Sequence, residues 1–375
     1  MPSSRKRARD VGVKPGELSP GSLNAITDVP GVRVGHVTII EGESIRTGVT
    51  AIIPAEGNLF QRKVPAAVFV GNGFGKLSGS TQVQELGNLE TPIVLTNTLA
   101  VGTAINAVVE YMLGQSGNER VQSVNAVVGE TNDGVLNDIR ARRVRVEDVL
   151  NAIQGAKSGM VEEGNVGAGT GTICFGFKGG IGTSSRVVKQ KDASRTSTSS
   201  VESRFALDGL ERGWTVGVIV QTNFGGALQI DGAPVGRELK SDGAGSVDGS
   251  CMIVVATDAP LDARNLERLA KRAFLGLGKT GGIASNGSGD YVIAFSTADE
   301  LRIPHRAESP MIQQNVLHND FVSPLFQATI EATEEAILNS LFMAETMIGK
   351  GGKRVEALPL DRVIPILQTY NRIQP

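Results

Sequence analysis

The chain changes character within the stretch Lys240-Ser241-Asp242-Gly243-Ala244-Gly245-Ser246-Val247-Asp248-Gly249-Ser250-Cys251-Met252-Ile253-Val254-Val255-Ala256-Thr257. Residues 240–249 are small, polar and rich in glycine, whereas residues 252–257 form the unbroken apolar run that is typical of a buried strand. Ser250 stands at the junction between them. We therefore expect a rigid strand after this serine and a flexible, uncrowded peptide bond before it.

This position suits a nucleophile that cleaves its own chain. The Ser250 hydroxyl would attack the carbonyl of Gly249, the acyl group would shift from nitrogen to oxygen, and water would release a new amino terminus. Ser250 would then carry an α-amine with a pKa of roughly 7.7–8.0, which can act as the base for its own hydroxyl. The alternative is an ordinary turn, because segments before strands are routinely rich in glycine and serine.

The composition limits the classes of protein to which this chain can belong. With 375 residues, 40% of them hydrophobic and 20% charged, the chain is long enough to bury a large core in one or two domains. The net charge of −2 lacks the basic excess of a nucleic-acid-binding protein, and aromatic residues, at 4%, are too few for base-stacking surfaces. No apolar run reaches the roughly 18 residues that span a membrane. We expect neither a nucleic-acid nor a membrane partner.

The amino-terminal residues Met1–Asp10 are charged and precede no apolar signal region. A basic targeting patch is one interpretation of their arginines, and a solvated tail is the commoner outcome for such a terminus. We expect residues 1–20 to form a flexible tail, residues 21–375 to form a single domain, and the protein to be cytoplasmic.

Cysteine and histidine provide no metal or disulfide motif. Cys174 and Cys251 both lie in apolar, strand-like sequence, so we expect buried free thiols rather than a disulfide or a zinc site. His36, His305 and His318 are far apart in the sequence and no metal-binding spacing joins them. We therefore expect no metal and no cofactor. The sequence leaves a histidine-based triad open, but no local motif supports one, so we expect a hydrolase built from this chain to take its base from another residue type.

Strand-like segments alternate with a few amphipathic helices along the rest of the chain. The predicted strands are Val32–Ile40, Val49–Ile53, Val64–Val70, Pro92–Leu95, Ala126–Val128, Ile173–Phe177, Trp214–Gln221, Met252–Thr257 and Tyr291–Phe295, and the predicted helices are Leu99–Leu113, Val146–Ile153, Asp262–Phe274 and Phe321–Ile348. Lys189–Arg204 is rich in Ser, Thr and Lys and indicates an exposed loop. Because regular βαβ alternation is absent, we expect a layered sandwich rather than a Rossmann or TIM-barrel fold.

Polar residues recur where the predicted apolar strands end. They are Asn72, Thr96-Asn97, Glu130-Thr131-Asn132, Thr222-Asn223 and Ser250. Residues 96–98 also precede a predicted helix and can cap it. Several strand ends of this kind can line one cleft, where small residues leave room and amide groups face a ligand. Ordinary turn chemistry explains the same residues without any cleft.

A second candidate segment is Asn286-Gly287-Ser288-Gly289-Asp290-Tyr291. Ser288 could relay protons between Ser250 and the carboxylate of Asp290. The alternative is a Gly/Asp turn before the next strand, which explains the glycines but not the combination of serine and aspartate.

Residues 273–280 satisfy the loose spacing of a phosphate-binding loop, ending in Gly278-Lys279-Thr280. Such a loop needs a strand before it and a helix after it, so that the helix N-terminus faces the phosphates. Here a predicted helix precedes the motif. We therefore interpret it as a helix C-terminus with glycine at C′ and Lys279 near the negative end of the helix dipole.

Seven ordered segments resemble the L-aminopeptidase/D-amidase-esterase family of self-processing serine hydrolases, which includes the β-aminopeptidases. They are Thr27–His36, Val70–Gly75, Gly129–Asp138, Glu163–Gly171, Gln221–Gly225, Gly249-Ser250 and Gly287–Asp290. Each segment is weakly specific alone, and their joint order over nearly all of the chain after about residue 20 is highly specific. The length and the place of the serine resemble the D-aminopeptidase members of the family.

The resemblance implies a four-layer αββα sandwich of the α/β class, similar to the N-terminal-nucleophile hydrolases and related to the ornithine acetyltransferases. It also implies cleavage at Gly249-Ser250 into an α chain, 1–249, and a β chain, 250–375. The two chains would assemble as a tetramer of αβ heterodimers, and the substrates would be small peptides, amino-acid amides and esters, with no cofactor.

The resemblance assigns roles to five residues. Ser250 would be the nucleophile, Asn223 an oxyanion-hole donor, and Ser288 and Asp290 would assist proton transfer. Glu130 would bind the free amino group of the substrate. These residue types suit the chemistry, because a buried carboxylate holds an ammonium group by charge-assisted hydrogen bonds and a neutral amide stabilises a tetrahedral oxyanion.

Two other functions stay open from the sequence. An acetyltransferase of the ornithine type would pass the acyl group to an amine instead of water, although that family usually has threonine as its nucleophile. A non-enzymatic ligand-binding or scaffold protein on the same fold would be cleaved at Gly249-Ser250 without turning over any substrate.

Overall fold

The computed structural model describes residues 5–189, 213–239, 249–307 and 309–374. The strands are β1 Arg33–Glu41, β2 Ile45–Ile53, β3 Arg62–Gly73, β4 Leu77–Ser78, β5 Asn88–Leu89, β6 Ile93–Asn97, β7 Val127–Thr131, β8 Ile173–Cys174, β9 Phe177–Lys178, β10 Ile181–Val188, β11 Trp214–Asn223, β12 Ser250–Thr257, β13 Gly289–Ser296, β14 Ile303–Pro304, β15 Met347–Ile348 and β16 Arg354–Val355. The α-helices are α1 Ser80–Leu86, α2 Val101–Leu113, α3 Val146–Gln154, α4 Val235–Glu238, α5 Ala263–Lys279, α6 Ser323–Phe342 and α7 Leu360–Thr369.

Two mixed sheets form the centre of the molecule. The first has the strand order β1-β2-β6-β7-β4, and the second has the order β10-β11-β12-β13-β3-β14 with β5 also paired to β3. Two neighbouring pairs, β6 with β7 and β12 with β13, run parallel, and the other pairs run antiparallel. Two small hairpins, β8-β9 and β15-β16, lie outside these sheets.

Helices cover the outer face of each sheet. Helices α2 and α3 pack on the first sheet, and α5 and α6 pack on the second. The sheets face one another where β7 meets β11 and β12. This arrangement is a four-layer αββα sandwich, which confirms the fold class expected from the sequence.

Strand β12 shows why its sequence is an unbroken apolar run. Met252 and Val254 belong to the core between the two sheets, whereas Cys251 and Ile253 belong to the core between the second sheet and its helices. Because alternate residues point to opposite faces and both faces are covered, every position must be buried and apolar. Cys251 and Cys174 are both buried free thiols, as predicted.

Several local predictions are confirmed and others are wrong in detail. The Asn97 side chain accepts a hydrogen bond from the backbone N–H of Leu99 at 3.0 Å and caps the helical turn before α2, as expected. The predicted strand Ile173–Phe177 is instead a hairpin, since Phe175 and Gly176 adopt positive φ values of 52° and 79° and reverse the chain between β8 and β9.

The motif that resembles a phosphate loop lies inside and at the end of α5. Helix α5 continues through Gly276 to Lys279, further than the sequence predicts. Gly276 is required by a close approach, because a Cβ atom there would come within 2.7 Å of the Ile330 carbonyl oxygen on α6. The Lys279 Nζ atom lies 2.5 Å from the Glu334 carboxylate. The segment is a helix C-terminus, as interpreted from the sequence.

Strand β10 is absent from the sequence prediction. Its centre, Thr183-Ser184-Ser185-Arg186, is polar, yet all four side chains are buried. The Arg186 guanidinium lies 3.1 Å from the Glu331 carboxylate and 2.7 Å from that of Glu335, both on α6. A buried ion pair between segments so distant in the chain leaves no local signal of a strand.

The expected flexible tail differs from the structure over residues 5–20. Ala8 and Val13 are fully buried, and the Arg5 guanidinium donates to the carbonyl oxygens of Leu341, Phe342 and Leu358. Arg5 therefore packs against the end of α6, and Arg7 and Arg9 form ion pairs with Glu163 and Glu335. The loop predicted over 189–204 and the linker 240–248 lie outside the described residues, apart from residue 189.

We predict that Arg186→Met removes about 3–5 kcal/mol from the free energy of unfolding. The substitution leaves Glu331 buried without a basic partner among the residues that the structure describes, and breaking a buried pair costs this much because a charge stays uncompensated. Urea denaturation measures the effect. The control Arg62→Met breaks the exposed pair with Asp299 and should cost less than about 1 kcal/mol. Similar losses in both variants would contradict the prediction.

Candidate active site

The predicted strand ends meet at one edge of the sandwich. Asn223, the last residue of β11, pairs with Ser250, the first residue of β12, and Ser250 pairs with Gly289, the first residue of β13. Gly289 in turn pairs with Gly73 at the end of β3. The end of β7, with Glu130, faces this edge from the other sheet. Of the predicted polar strand ends, Glu130, Asn132, Asn223 and Ser250 line one cavity, whereas Asn72, Thr96, Asn97 and Thr222 do not.

A cavity of about 880 Å³ opens at this edge, and Ser250, Asn223 and Glu130 all line it. Its volume lies towards the upper end of the range for small-molecule sites, so it exceeds the size of a single amino-acid residue. Phe74 and Phe177 contribute apolar surface to its wall. The cavity thus combines a hydroxyl, an amide and a carboxylate with an apolar lining.

Ser250 lines the cavity and is largely buried, with 6% of its surface exposed. Its Oγ atom accepts a hydrogen bond from the backbone N–H of Gly289 at 3.2 Å. The same N–H lies 3.1 Å from the carbonyl oxygen of Gly249, to which it also donates. A Cβ atom on Gly249 would overlap the Asn223 carbonyl oxygen, so this conformation requires glycine before the serine.

The Asn223 side chain is oriented by the β8-β9 hairpin. Its Oδ1 atom accepts a hydrogen bond from the backbone N–H of Ile173 at 3.0 Å. This contact fixes which end of the amide is the acceptor. The Nδ2 group is therefore the end that can donate to a molecule in the cavity beside Ser250.

Ser288 and Asp290 are buried next to Ser250 and do not line the cavity. Burial raises the pKa of Asp290 to about 6, while the nearby Ser288 hydroxyl and Cys251 amide act in the opposite direction. Neither carboxylate oxygen of Asp290, nor the Ser288 hydroxyl, makes a hydrogen bond of standard geometry within the described ranges. Buried polar groups that are short of well-formed hydrogen bonds are common at reaction centres.

Asn72 has the turn role that the sequence analysis gave as the alternative to lining a cleft. Its Nδ2 group donates to the carbonyl oxygens of Ser288 and Ser285, the latter at 3.0 Å. The Phe74 backbone N–H donates to the same Ser288 carbonyl at 3.2 Å. Asn72 therefore holds the turn that carries Ser288 rather than facing a ligand.

Glu130 is a buried carboxylate, 3% exposed, on the cavity wall. Its Oε1 atom accepts from the backbone N–H of Lys76 at 3.1 Å, and the Thr98 hydroxyl donates to Oε2. The Lys76 Nζ atom is 3.7 Å from Oε1. Two hydrogen bonds and one ion pair thus hold this carboxylate on the wall of the cavity that Ser250 also lines.

The sequence missed one wall of the cavity, which the β15-β16 hairpin forms. Lys353, Arg354 and Glu356 line it there, and the Arg354 Nε atom lies 2.5 Å from the Glu356 carboxylate. The hairpin docks through the Lys350 backbone N–H, which donates to the Leu136 carbonyl at 2.8 Å. No local motif marks these residues, because their part in the site depends on this long-range docking.

In the parts of the chain that the structure describes, no group of three or more His, Cys, Asp or Glu side chains is placed to hold a metal ion. Burial lowers the pKa of His36 to about 4, and its Nδ1 atom lies 2.9 Å from the Thr50 hydroxyl. That histidine packs within the first sheet, away from Ser250. None of the described helices is long and apolar enough to cross a membrane.

Several known proteins are similar to this chain in architecture and in sequence. The model of peptidase family S58 matches residues 24–355. The β-peptidyl aminopeptidase BapA of Sphingosinicella microcystinivorans is 41% identical over 98% of this chain and 93% of its own length. The PH0078 protein of Pyrococcus horikoshii OT3 superposes with a TM-score of 0.88 at 46% identity, covering 98% of this chain and all of that one.

A third relative is the L-aminopeptidase D-Ala-esterase/amidase of Ochrobactrum anthropi. It superposes with a TM-score of 0.87 at 37% identity and covers 98% of this chain and 99% of its own. Its structure is described as a prototype for the serine aminopeptidases and as a new variant of the N-terminal-nucleophile hydrolase fold. The chain therefore belongs to peptidase family S58 and is a serine aminopeptidase.

Proposed function

We propose that this aminopeptidase matures by cleaving its own Gly249–Ser250 bond and then uses Ser250 to release N-terminal residues from small peptides, amino-acid amides and esters. The observation that carries the proposal is the shared cavity, in which a strand-initiating serine and a buried carboxylate face the same space. The β-peptidyl aminopeptidase relative and the L-aminopeptidase D-Ala-esterase/amidase relative support these substrate classes. They favour hydrolysis over acetyl transfer or a scaffold role.

Self-cleavage is supported by the contacts of the scissile bond. The Gly289 N–H donates to the Gly249 carbonyl oxygen and so polarises the carbonyl that Ser250 Oγ would attack. Oγ forms a bond to that carbon as its proton leaves to a base, and the C–N bond then breaks with return of a proton to nitrogen. Water hydrolyses the resulting ester and leaves Ser250 with a free α-amine, a base beside its own hydroxyl.

In turnover, Ser250 Oγ attacks the substrate carbonyl and forms an acyl-enzyme that water resolves. Asn223 Nδ2 donates to the developing oxyanion, and one such donor typically lowers the barrier by roughly 2.7–4 kcal/mol. The buried Ser288 hydroxyl and Asp290 carboxylate assist proton movement to and from Ser250. A pKa of about 6 allows Asp290 to exchange protons near neutral pH.

Glu130 binds the substrate's ammonium group in this proposal. Its carboxylate opens to the cavity, and its fixed neutral donors, the Lys76 N–H and the Thr98 hydroxyl, hold it in one orientation. An ammonium group that binds there fixes the distance from the amino terminus to the scissile carbonyl. This selects substrates with a free amine.

Chains 1–249 and 250–375 would stay together after cleavage. Strand β12 lies between β11 and β13 and is hydrogen-bonded to both, so the new terminus belongs to a central strand rather than a free segment. We propose that such αβ units assemble further as a tetramer, following the family resemblance.

Ser250→Ala should remain a single chain and be inactive, because it lacks the attacking hydroxyl for both reactions. Intact-mass analysis under denaturing conditions and hydrolysis of alaninamide measure the two effects. Ser246→Ala, a serine four residues earlier, should still be cleaved and active. Cleavage of the Ser250→Ala chain, or hydrolysis of alaninamide by it, would contradict the proposal.

Glu130→Gln keeps the size of the side chain and removes its charge. We expect kcat/KM for alaninamide to fall about 10- to 100-fold, the usual loss for a hydrogen bond to a charged group. Hydrolysis of N-acetylalanine p-nitrophenyl ester should change little. Glu90→Gln is the matched control, since Glu90 is also buried beside a lysine but lies outside the cavity. Equal losses on both substrates would remove the amine-binding role.

Asp290→Asn should lower the hydrolytic activity and, above pH 6, raise the free energy of unfolding. Its folded pKa of about 6 exceeds the ordinary value of 3.8, so wild-type protein loses stability as pH rises between these values. The difference corresponds to at most about 3 kcal/mol. Urea unfolding at pH 4 and pH 8, in the Ser250→Ala background, should show a gain only at pH 8. A gain of the same size at both pH values would refute the electrostatic origin.

A further inference from the structure

We infer that, in the free enzyme, the Lys76 ammonium group occupies the position beside Glu130 at which the substrate's amino group binds. An amine must then displace Lys76 in order to bind. This inference rests on the proposed role of Glu130. Lys76 lies between β3 and β4 and lines the cavity. Its Nζ atom, 3.7 Å from Glu130 Oε1, is the one cation within 4.0 Å of that carboxylate among the residues described.

The three groups that contact Glu130, two hydrogen-bond donors and one ion-pair partner, differ in how easily they can move away. The Lys76 backbone N–H is fixed by the main chain, and the Thr98 hydroxyl lies in the helical turn that Asn97 caps. The Lys76 ammonium sits on a flexible stem whose side chain is 55% exposed. It can therefore move to solvent while the two neutral donors stay in place.

A second buried carboxylate shows what a permanent lysine partner is like. The Lys63 Nζ atom lies 3.5 Å from Glu90, donates to the Phe60 carbonyl at 2.8 Å and lies 4.2 Å from the centre of the Phe60 ring. The Lys63 side chain is only 10% exposed. The Lys76 Nζ atom has no comparable second contact with the described part of the chain, so its pairing with Glu130 is loose.

A substrate ammonium and the Lys76 ammonium exclude one another at this carboxylate. Both approach Glu130 from the cavity that Lys76 and Glu130 line, and two like charges a few ångströms apart repel. Charge-assisted hydrogen bonds are typically about 2.7–2.9 Å long, so a substrate amine that fits closely replaces a longer contact with a shorter one. The lysine keeps the carboxylate paired until an amine arrives.

The consequence is a competition that weakens amine binding by a small factor. A partly exposed ion pair of this kind is weak, so we expect its removal to lower the inhibition constant of a simple amine about two- to fivefold. A neutral or N-blocked ligand makes no use of Glu130 and gains nothing. Lys76 is therefore a specificity-determining residue for the amino terminus.

The test measures inhibition of alaninamide hydrolysis by isopropylamine, which carries the amine but no scissile carbonyl. Lys76→Met should lower the inhibition constant about two- to fivefold, because the backbone N–H to Glu130 is kept and only the competing charge is lost. Lys76→Arg keeps the charge and should stay near wild type. Lys271→Met removes an exposed paired lysine outside the cavity and is the matched control.

Three results separate the hypotheses. An inhibition constant that falls in Lys76→Met, but not in Lys76→Arg or Lys271→Met, supports the displacement. An unchanged or raised constant in Lys76→Met, with weaker inhibition in Glu130→Gln, overturns the displacement and leaves the proposed amine site standing. Unchanged inhibition in Glu130→Gln overturns the amine site itself, and the displacement with it.

Discussion

Burial of β12 on both faces is the constraint on which the rest of the site depends. The strand is hydrogen-bonded to β11 and β13, faces the first sheet through Met252 and Val254, and faces α5 and α6 through Ile253 and Val255. A strand held from four sides cannot slide or rotate. Because the strand is rigid, the position of its first residue, Ser250, is also fixed, as a nucleophile requires.

The same burial gives the two carboxylates near Ser250 different environments. Among the residues that the structure describes, no cation forms an ion pair with Asp290, and burial raises its pKa to about 6. Glu130 accepts hydrogen bonds from a backbone N–H and a hydroxyl and lies 3.7 Å from an ammonium group, so its carboxylate has three partners. We propose proton exchange for the first carboxyl and binding of a cation for the second. The proposed roles follow from these environments rather than from the residue types.

Much of this arrangement is predictable from the sequence, and the failures have a common cause. Apolar runs and the glycines and amides after them are local signals, so the central strands and the polar strand ends could be identified, Ser250 and Asn223 among them. Strand β10 could not, because the polarity of Arg186 is compensated by α6 about 145 residues later. The cavity wall that β15-β16 forms could not be predicted for the same reason, because its position depends on contacts with distant residues rather than on its own sequence pattern.

A single backbone N–H connects the proposed maturation with the proposed catalysis. The Gly289 N–H is shared by the Gly249 carbonyl oxygen at 3.1 Å and Ser250 Oγ at 3.2 Å, so it contacts both atoms of the self-cleavage step. Crowding at Gly249 leaves no room for a side chain there, which keeps its carbonyl against this donor. In the proposed maturation, cutting the bond would release Gly249, and the donor would lose one of its two acceptors. A substrate carbonyl would then take the position that the chain's own carbonyl holds in this structure, so the proposed cleavage and the proposed catalysis would use the same donor.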